Sequence, residues 1–374
     1  MKIGIVCFPT YGGSGAVAGE LARGLALRGH EIHIISYALP FRLKSFTKNV
    51  FFHEVDTQNY PPFPSPPYVL SLASRIIEIC MEYSLDVLHL HYAIPHTTSA
   101  FLARCVMGKR SPALITTLHG TDITLVGSHP SYYPITKFSI EESDGITSVS
   151  SYLKKTTEEV FGIRKPIEVI HNFIDTGRFS PGMSREIRQL LCGSAGKVLI
   201  HISNFRPVKR LADVVQVFAR VAAEVDAKLL LVGDGEERPA IHRMVGDMGI
   251  RDRVLFLGKQ DNVEELIATA DLMLFPSENE SFGLAALEAL SCGVPVVGST
   301  AGGLVEVVEH GLCGYLHPVG DVESMARSCL SLLGDSAKME AFREKARERA
   351  LSHFDERIII PHYENFYRSV INGL

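Results

Sequence analysis

Two glutamates with seven residues between them stand where an apolar strand pattern gives way to a helical one. Eight helical steps would turn Glu288 about 80° away from Glu280, so the two carboxylates would not share one helix face. We therefore expect Glu280 in the loop and Glu288 inside the helix. There Glu280 can accept hydrogen bonds from sugar hydroxyls and Glu288 from a ribose. The backbone N–H groups of Phe282, Gly283 and Leu284, at the helix start, suit an anion.

A basic loop about 70 residues earlier precedes another helical pattern. Arg206, Lys209 and Arg210 fall within five residues, after a strand and before a helix. Positive charge is disfavoured at a helix start, because the helix dipole is positive there. Three cations in this place therefore indicate a shared anion, and a departing nucleoside diphosphate fits, since negative charge grows on it as the glycosidic bond breaks.

A glycine-rich loop follows the first strand of the chain. Gly13, Ser14 and Gly15 open a helix, where a ligand can approach the backbone closely and negative charge is favoured. The segment also fits a loose dinucleotide-binding pattern, but that pattern requires an acidic residue at the end of the second strand. Here the second strand ends in Ser36 and Tyr37, which argues against an NAD-dependent dehydrogenase.

Histidines mark two strands of the first half. His119 follows an apolar run at 113–117 and can reach a sugar or the reacting centre. His89 and His91 alternate along a strand, so both rings face one side of it. The pair could suggest zinc, but no carboxylate or cysteine cluster lies nearby in sequence to complete the ligand set, and the chain contains no D-x-D triplet. We therefore expect no metal.

The elements that must carry these residues repeat a strand–helix alternation twice. Continuous apolar strands alternating with amphipathic helices predict parallel sheets covered on both faces, with ligands at the carboxyl ends of the strands. The stretch Thr176–Gly196 is rich in Gly and Ser and reads as a linker, and Asp355–Leu374 is a further amphipathic helix. We expect an α/β fold with one domain at 1–175 plus 355–374 and a second at 176–354.

Composition limits the possible partners. The 374 residues carry a net charge of −5, which argues against broad binding to nucleic acid or to an anionic membrane. The seven cysteines are scattered without a C-x-x-C pair, as in a reducing compartment. No apolar run reaches the length of a spanning helix, and the first residues open a strand and lack a signal-peptide layout. We expect a cytoplasmic protein without stable membrane insertion and leave a homo-oligomer open.

Taken together, these motifs resemble those of the retaining family 4 glycosyltransferases of GT-B type. The resemblance implies two Rossmann-like domains facing across a cleft, the first binding the acceptor and the second the nucleotide sugar, with the C-terminal helix returning to the first domain. Further matching stretches point to the members that transfer N-acetylglucosamine from UDP-N-acetylglucosamine to L-malate, the first step of bacillithiol biosynthesis. Those stretches are Pro9–Gly15, Leu39–Leu43, His89–His96, Thr116–Asp122, His171–Asp175 and Ser203–Arg210.

The resemblance also implies residue roles and a same-face substitution in which the leaving diphosphate takes the acceptor proton, without a metal cofactor. The implied catalytic residues are His119, Lys209 and Glu280. The implied donor-binding residues are Gly13, Ser14, Gly15, Asn172, Ser203, Asn204, Arg206, Lys209, Gly258, Glu280, Phe282, Gly283, Leu284 and Glu288. The candidates for holding the acceptor are Ser14, Arg42, Tyr92, Thr117 and Arg206.

One departure from the family pattern leaves a role open. Many members carry an arginine five residues before the lysine, where this chain has Asn204, and the nearby arginine is Arg206. Arg206 could therefore serve donor or acceptor. Other functions also stay open: a family 4 enzyme with a lipid-linked or polysaccharide acceptor, a sugar-nucleotide epimerase, and a non-catalytic UDP-sugar-binding protein.

Overall fold

A computed structural model describes residues 1–10, 12–43, 46–57, 67–182, 185–193 and 196–374. These form two compact units, Met1–Asn172 with Glu356–Leu374 (unit 1) and Phe173–Asp355 (unit 2). Unit 1 ends at 172 where the sequence suggested 175, and the chain re-enters it at 356 where the sequence suggested 355.

Unit 1 contains a parallel sheet with helices between its strands. Its elements up to the linker are β1 (Lys2–Val6), α1 (Gly13–Leu27), β2 (Glu31–Ser36), β3 (Val50–Glu54), α2 (Tyr68–Tyr83), β4 (Val87–His91), α3 (Thr98–Met107), β5 (Ala113–Leu118), α4 (Tyr133–Glu141), β6 (Gly145–Ser148), α5 (Ser151–Phe161) and β7 (Glu168–Val169). The strand order is β3-β2-β1-β4-β5-β6-β7, and every pairing is parallel. The central strands are buried, as continuous apolar runs predict.

Unit 2 repeats the arrangement. Its elements are α6 (Arg185–Cys192), β8 (Lys197–Ile202), α7 (Leu211–Glu224), β9 (Ala227–Val232), α8 (Arg238–Asp247), β10 (Val254–Gly258), α9 (Val263–Ala268), β11 (Leu272–Phe275), α10 (Leu284–Ser291), β12 (Val296–Ser299), α11 (Leu304–Val307), β13 (Gly314–His317), α12 (Val322–Leu333) and α13 (Ser336–His353). The strand order is β10-β9-β8-β11-β12-β13, again parallel throughout. The expected linker therefore contains a helix, α6, which its Gly and Ser residues concealed.

The last helix, α14 (Glu356–Gly373), packs on unit 1, as the sequence predicted. It lies so close to α1 that a Cβ on Gly24 would come within 2.0 Å of Ile360 Cδ1. Glu364 fixes it further by accepting hydrogen bonds from Arg28 and His30, each at 2.7 Å. Among the described residues, no helix combines the length and apolarity that crossing a membrane requires.

Candidate functional site

Each sheet has one switch point, at which the chain leaves two neighbouring strands in opposite directions. In unit 1 it lies between β1 and β4, and in unit 2 between β8 and β11. Ligands of doubly wound sheets bind at such points, beyond the carboxyl ends of the strands. Many of the residues that the sequence singled out lie in or next to the loops that follow these strands. The exceptions include Arg42 after β2, Thr117 on β5, His119 after β5 and Gly258 at the end of β10.

In unit 2, the two loops meet through an ion pair. Lys209 ends a short 3₁₀ turn, Pro207–Lys209, and its Nζ donates to Glu280 Oε1 in the loop after β11. The same oxygen accepts from Ser277 Oγ at 3.0 Å. Glu280 is 9% exposed, and the Lys209 ammonium lies 5.8 Å from the centroid of the Phe275 ring. The sequence treated Lys209 and Glu280 as separate ligand contacts, whereas the structure holds them together.

The basic loop around Ser203 is shaped by a buried histidine. His201 Nδ1 donates to the carbonyl of Leu274 at 2.9 Å, so its Nε2 accepts from the Ser203 hydroxyl at 2.8 Å. Ser203 Oγ in turn accepts from the backbone N–H of Phe205 at 3.3 Å. Burial lowers the pKa of His201 to about 4 and keeps the ring neutral. Ser203 thus supports its own loop, while Asn204 and Arg206 are exposed.

Glycines let the neighbouring turns approach this loop. A Cβ on Gly233 would lie 1.8 Å from the Ser203 carbonyl oxygen, and one on Gly235 would lie 2.2 Å from that of Asn204. Gly258 ends β10 with φ +66°, and its carbonyl accepts from the N–H of Gly233 at 2.7 Å. A side chain at Gly233 or Gly235 would therefore collide with the Ser203–Asn204 backbone, whereas Gly258 has open space at its Cβ position and favours glycine only through its positive φ.

The start of α10 matches the geometry expected from the glutamate spacing. Glu280 lies in the loop and Glu288 lies inside the helix, where it is 5% exposed. Gly283 caps the helix with φ +100°, a conformation that side chains disfavour, and Leu284 is the first helical residue. Phe282 is buried. The helix start therefore presents backbone N–H groups next to the Lys209–Glu280 pair.

In unit 1, the loops after β1 and β4 meet through hydroxyl groups. Tyr92 Oη donates to Ser14 Oγ at 2.7 Å. Tyr92 has φ +94°, a strained value for a residue with a Cβ, and such strain concentrates at functional sites. A Cβ on Gly15 would lie 2.4 Å from the Thr10 carbonyl oxygen, so the start of α1 is pressed against the loop. Gly13 is exposed, and Tyr11 lies outside the described residues.

Asp122 clamps the loops after β4 and β5 together, and it is not among the site residues predicted from the sequence. One carboxylate oxygen accepts from the N–H of Ala93 at 2.9 Å, and the other from those of Gly120 at 3.0 Å and His119 at 3.3 Å. Burial raises the pKa of Asp122 to about 6, against the opposing effect of these N–H groups. Its place in a glycine turn directly after a strand is the sequence signal that could have indicated this clamp.

A cluster of histidines lies beside this clamp, with His89 and His91 fully buried and His119 partly exposed. His119 Nε2 and His91 Nδ1 are 2.8 Å apart, and the rings of His89 and His91 are 4.5 Å apart, which confirms that both face the same side. Burial lowers the pKa of His89 and His119 to about 3 and that of His91 well below its usual value. No group of three or more potential metal ligands occurs among the described residues.

Two expected acceptor residues are placed unexpectedly. Thr117 is fully buried, and its hydroxyl is engaged by His89 Nε2 and by Thr147 Oγ1, each at 2.6 Å. This side chain lies within the unit, away from the loops, because it alternates onto the face of β5 that α14 covers. Arg42 is also largely buried, and its guanidinium lies 3.6 Å from a carboxylate oxygen of Glu20.

Asn172 is the last residue of unit 1. It is 6% exposed, and its side-chain oxygen accepts no hydrogen bond from the described residues. Buried polar atoms usually have a partner, so this oxygen is a suitable contact for a ligand donor group.

Comparison with protein families accounts for most of the chain. Residues 184–349 match the family model "Glycosyl transferases group 1", and residues 11–178 match "Glycosyltransferase Family 4". N-acetyl-alpha-D-glucosaminyl L-malate synthase of Bacillus anthracis is 49% identical over 372 residues, which cover 99% of this chain and 97% of that protein.

Solved structures share the fold across the whole chain. Sucrose-phosphate synthase from Thermosynechococcus elongatus superposes with a TM-score of 0.82 at 20% identity, covering 100% of both chains. Anabaena HepE, solved in complex with UDP and glucose, also gives 0.82 at 22% identity, covering 99% of this chain and 100% of its own. At these identities the likeness establishes the fold alone.

Proposed function

The chain belongs to the family 4 glycosyltransferases, with the GT-B fold of two Rossmann-like domains, and we propose that it transfers N-acetylglucosamine from UDP-N-acetylglucosamine to the hydroxyl of L-malate. The observation that carries a transfer reaction is the Lys209–Glu280 pair at the switch point of unit 2. The choice of sugar and acceptor is supported by the name of the Bacillus anthracis relative and its identity over nearly the whole chain. The reaction would be the first step of bacillithiol biosynthesis.

In the proposed reaction, the bond between the anomeric carbon and the diphosphate oxygen breaks, and the malate hydroxyl oxygen forms a new bond on the same face of the sugar. The hydroxyl proton passes to the leaving diphosphate. Lys209 and the N–H groups at Gly283 and Leu284 stabilise the growing negative charge, because fixed donors in a partly buried site need little rearrangement. Glu280 binds sugar hydroxyls, and Glu288 binds the ribose.

Acceptor binding is proposed for residues that can meet two carboxylates. A dianion such as malate needs cations or several N–H and O–H donors at short distance. The joined hydroxyls of Ser14 and Tyr92 can supply donors, and His119 stands near Tyr92, with ring centroids 5.1 Å apart. Of the two arginines considered, Arg206 is exposed, whereas the Arg42 charge already faces Glu20. We therefore favour Arg206 for a malate carboxylate.

The transfer is proposed to need no metal cofactor and to occur in the cytoplasm. Lys209 and the helix start offer the charge stabilisation that a divalent cation would otherwise give, and the sequence has no D-x-D triplet. The cysteines that the structure describes are free thiols, in keeping with a reducing compartment.

A lipid-linked acceptor is less well supported, because the three arginines of α13 are used within unit 2. Arg343 pairs with Asp271 at 2.8 Å, and Arg347 donates to the carbonyls of Phe179 and Ser291. Arg349 donates to the carbonyl of Val307. These side chains brace the unit and offer little charge for a membrane surface.

The test uses purified protein with UDP-N-acetylglucosamine, with and without L-malate, in the presence of EDTA. UDP release and product mass are followed together. We expect UDP release that requires malate and a product with the mass of malate-linked N-acetylglucosamine. Turnover only with another acceptor, or release of UDP without malate, would overturn the acceptor assignment, and UDP binding without any turnover would favour a non-catalytic binding protein.

A further inference from the structure

His91 lies directly behind His119, and the proposed function gives it no role. It is fully buried at the end of β4, and its Nδ1 lies 2.8 Å from His119 Nε2. The two rings stack with centroids 5.0 Å apart and planes 18° apart. A hydrogen bond between two imidazole nitrogens requires that one of them carries the proton and the other does not.

Two arrangements of protons are possible. If His91 donates, its proton is on Nδ1 and its Nε2 is a bare nitrogen. If His119 donates, the only proton of neutral His91 is on Nε2. That atom is buried and has no hydrogen-bond partner among the described residues. The second arrangement therefore leaves a buried N–H without an acceptor, which folded proteins rarely tolerate.

His96 shows how this chain treats the same problem a few residues away. Its Nδ1 faces the backbone carbonyl of His91, which can only accept, so Nδ1 must carry the proton. Its Nε2 is also buried without a partner among the described residues and is then the bare nitrogen. His201 in unit 2 likewise donates from Nδ1 to a carbonyl. In both rings the geometry fixes the proton on Nδ1.

We propose that His91 is a positioning residue that donates from Nδ1 to His119 Nε2 and so holds His119 in the Nδ1–H tautomer. His119 then offers a ligand one N–H donor and no acceptor nitrogen. In the proposed transferase reaction this suits a hydroxyl or ether oxygen of the donor sugar, and it excludes His119 as the base that removes the acceptor proton. This inference rests on the proposed function only for the identity of that ligand.

Both rings stay neutral at working pH, so the tautomer decides what His119 can do. Burial lowers the pKa of His119 to about 3. Other groups that face the pair are the His89 ring, 4.5 Å from that of His91, and the Tyr92 ring, 5.1 Å from that of His119. His96 also faces the pair, and its charged form would lower the pKa of both histidines. The Asp122 carboxylate accepts a hydrogen bond from the His119 backbone N–H at 3.3 Å, which fixes the backbone position from which the His119 ring extends.

The experiment is a long-range ¹H–¹⁵N correlation spectrum of the full-length protein with ¹⁵N-labelled histidine at pH 7, assigned with His119→Gln. We expect His119 to show a protonated Nδ1 and an unprotonated Nε2. In His91→Phe, a ring of similar shape without nitrogen, the hydrogen bond that sets the His119 tautomer is lost, so we expect the preference for the Nδ1–H form to weaken. The matched control is His89→Phe on the same face of β4, which should leave the His119 signals unchanged, because His89 bonds to Tyr367 and Thr117.

Kinetics supply the second measurement. His91→Phe should lower kcat/KM for the nucleotide sugar on the order of 10- to 100-fold, as loss of an outer partner does for metal-bound histidines. An Nε2–H signal for His119 in the unmodified protein, assigned with His119→Gln, would overturn the proposal even if His91→Phe does not fold. So would an unchanged tautomer in folded His91→Phe. The spectrum needs no substrate, so failure of the malate assay bears on the proposed function and leaves this test intact.

Discussion

The two switch points solve different problems with different chemistry. In unit 2, the loops are joined by a charged pair, Lys209 and Glu280, beside a helix start. In unit 1, they are joined by neutral hydroxyls and imidazoles. The buried carboxylate of Asp122 accepts hydrogen bonds from backbone N–H groups there. The contrast fits the proposed division of roles, in which unit 2 stabilises the charge on the leaving diphosphate and the neutral donors of unit 1 position the sugar and the acceptor.

The largest expected effect is the loss of the unit 2 cation. Lys209→Met should lower kcat by about 10²- to 10³-fold, because it removes one fixed donor to the leaving diphosphate. Lys209→Arg is the control, since it keeps the charge and should retain part of the activity. Steady-state kinetics and thermal unfolding should be measured together, because the variant also leaves Glu280 without its cation. Full activity in Lys209→Met would contradict the proposal that unit 2 supplies a cation for the leaving diphosphate.

In unit 1, the corresponding substitution removes the Asp122 carboxylate that clamps the two loops. Asp122→Ala should lower kcat/KM roughly 100-fold, because a shift of the His119 loop by about 1 Å misplaces a substrate contact. It should also reduce the free energy of unfolding by about 1–3 kcal/mol, since buried N–H groups lose their acceptor. Asp122→Asn keeps one acceptor oxygen, so its kcat/KM and its free energy of unfolding should lie between those of the unmodified protein and Asp122→Ala. Equal kinetics in all three proteins would contradict a positioning role.

Features of these regions that depend on neighbouring residues in the chain could be predicted from the sequence. The apolar pattern predicts a strand at 228–232 and a helix at 133–142, and the structure has Ala227–Val232 and Tyr133–Glu141. Both follow from apolar patterns within a few residues. The placement of Glu280 in a loop and Glu288 in a helix followed from spacing alone. Fold class and family were likewise predictable.

The partners within each site were not predictable, because they come from distant parts of the chain. Lys209 and Glu280 are 71 residues apart, and they meet only because β8 and β11 are neighbours in the sheet. Asp122 reaches Ala93 across 29 residues for the same reason. Strand order is decided by tertiary packing, so residue types and spacing indicate the loops but not which atoms bond.

A third prediction uses pH to separate the units. Neutral buried histidines in unit 1 resist protonation until about pH 3 for His89 and His119 and about pH 4 for His96, whereas unfolded histidine takes up a proton near 6.5. The unfolded state then binds more protons between these values, so the free energy of unfolding falls as pH drops below 6.5. In unit 2, burial of His201 likewise lowers its pKa, to about 4. We expect unit 1 to lose stability first.

Asp122 acts in the opposite sense. Its folded pKa of about 6 lies above the ordinary value of 3.8, so it favours the folded state as pH falls between them, and it offsets part of the histidine effect. Hydrogen exchange followed by mass spectrometry at pH 7 and pH 5, corrected for intrinsic exchange rates, reports each unit separately. Earlier loss of protection in unit 2 would contradict the prediction.

A smaller effect should distinguish the two arginines. Arg206→Ala should raise KM for malate by about tenfold, the value of a charge-assisted hydrogen bond, and leave UDP affinity unchanged. Arg42→Ala should act mainly on stability, because Arg42 faces Glu20. Initial rates at varied malate and calorimetric titration with UDP separate the two. Loss of UDP affinity with unchanged malate KM in Arg206→Ala would assign this arginine to the donor.

The smallest kinetic effect is expected at Thr117, and it tests whether the interior of unit 1 is scaffold or site. Thr117→Val keeps the shape but removes the hydroxyl that contacts His89 and Thr147. We expect an unchanged KM for malate and a free energy of unfolding lower by about 1 kcal/mol, since one buried polar group loses its partner. Thr147→Val is the matched control for loss of the same hydroxyl contact. If Thr117→Val alone raised the malate KM, the acceptor would have to reach this depth, and the face of β5 under α14 would belong to the site.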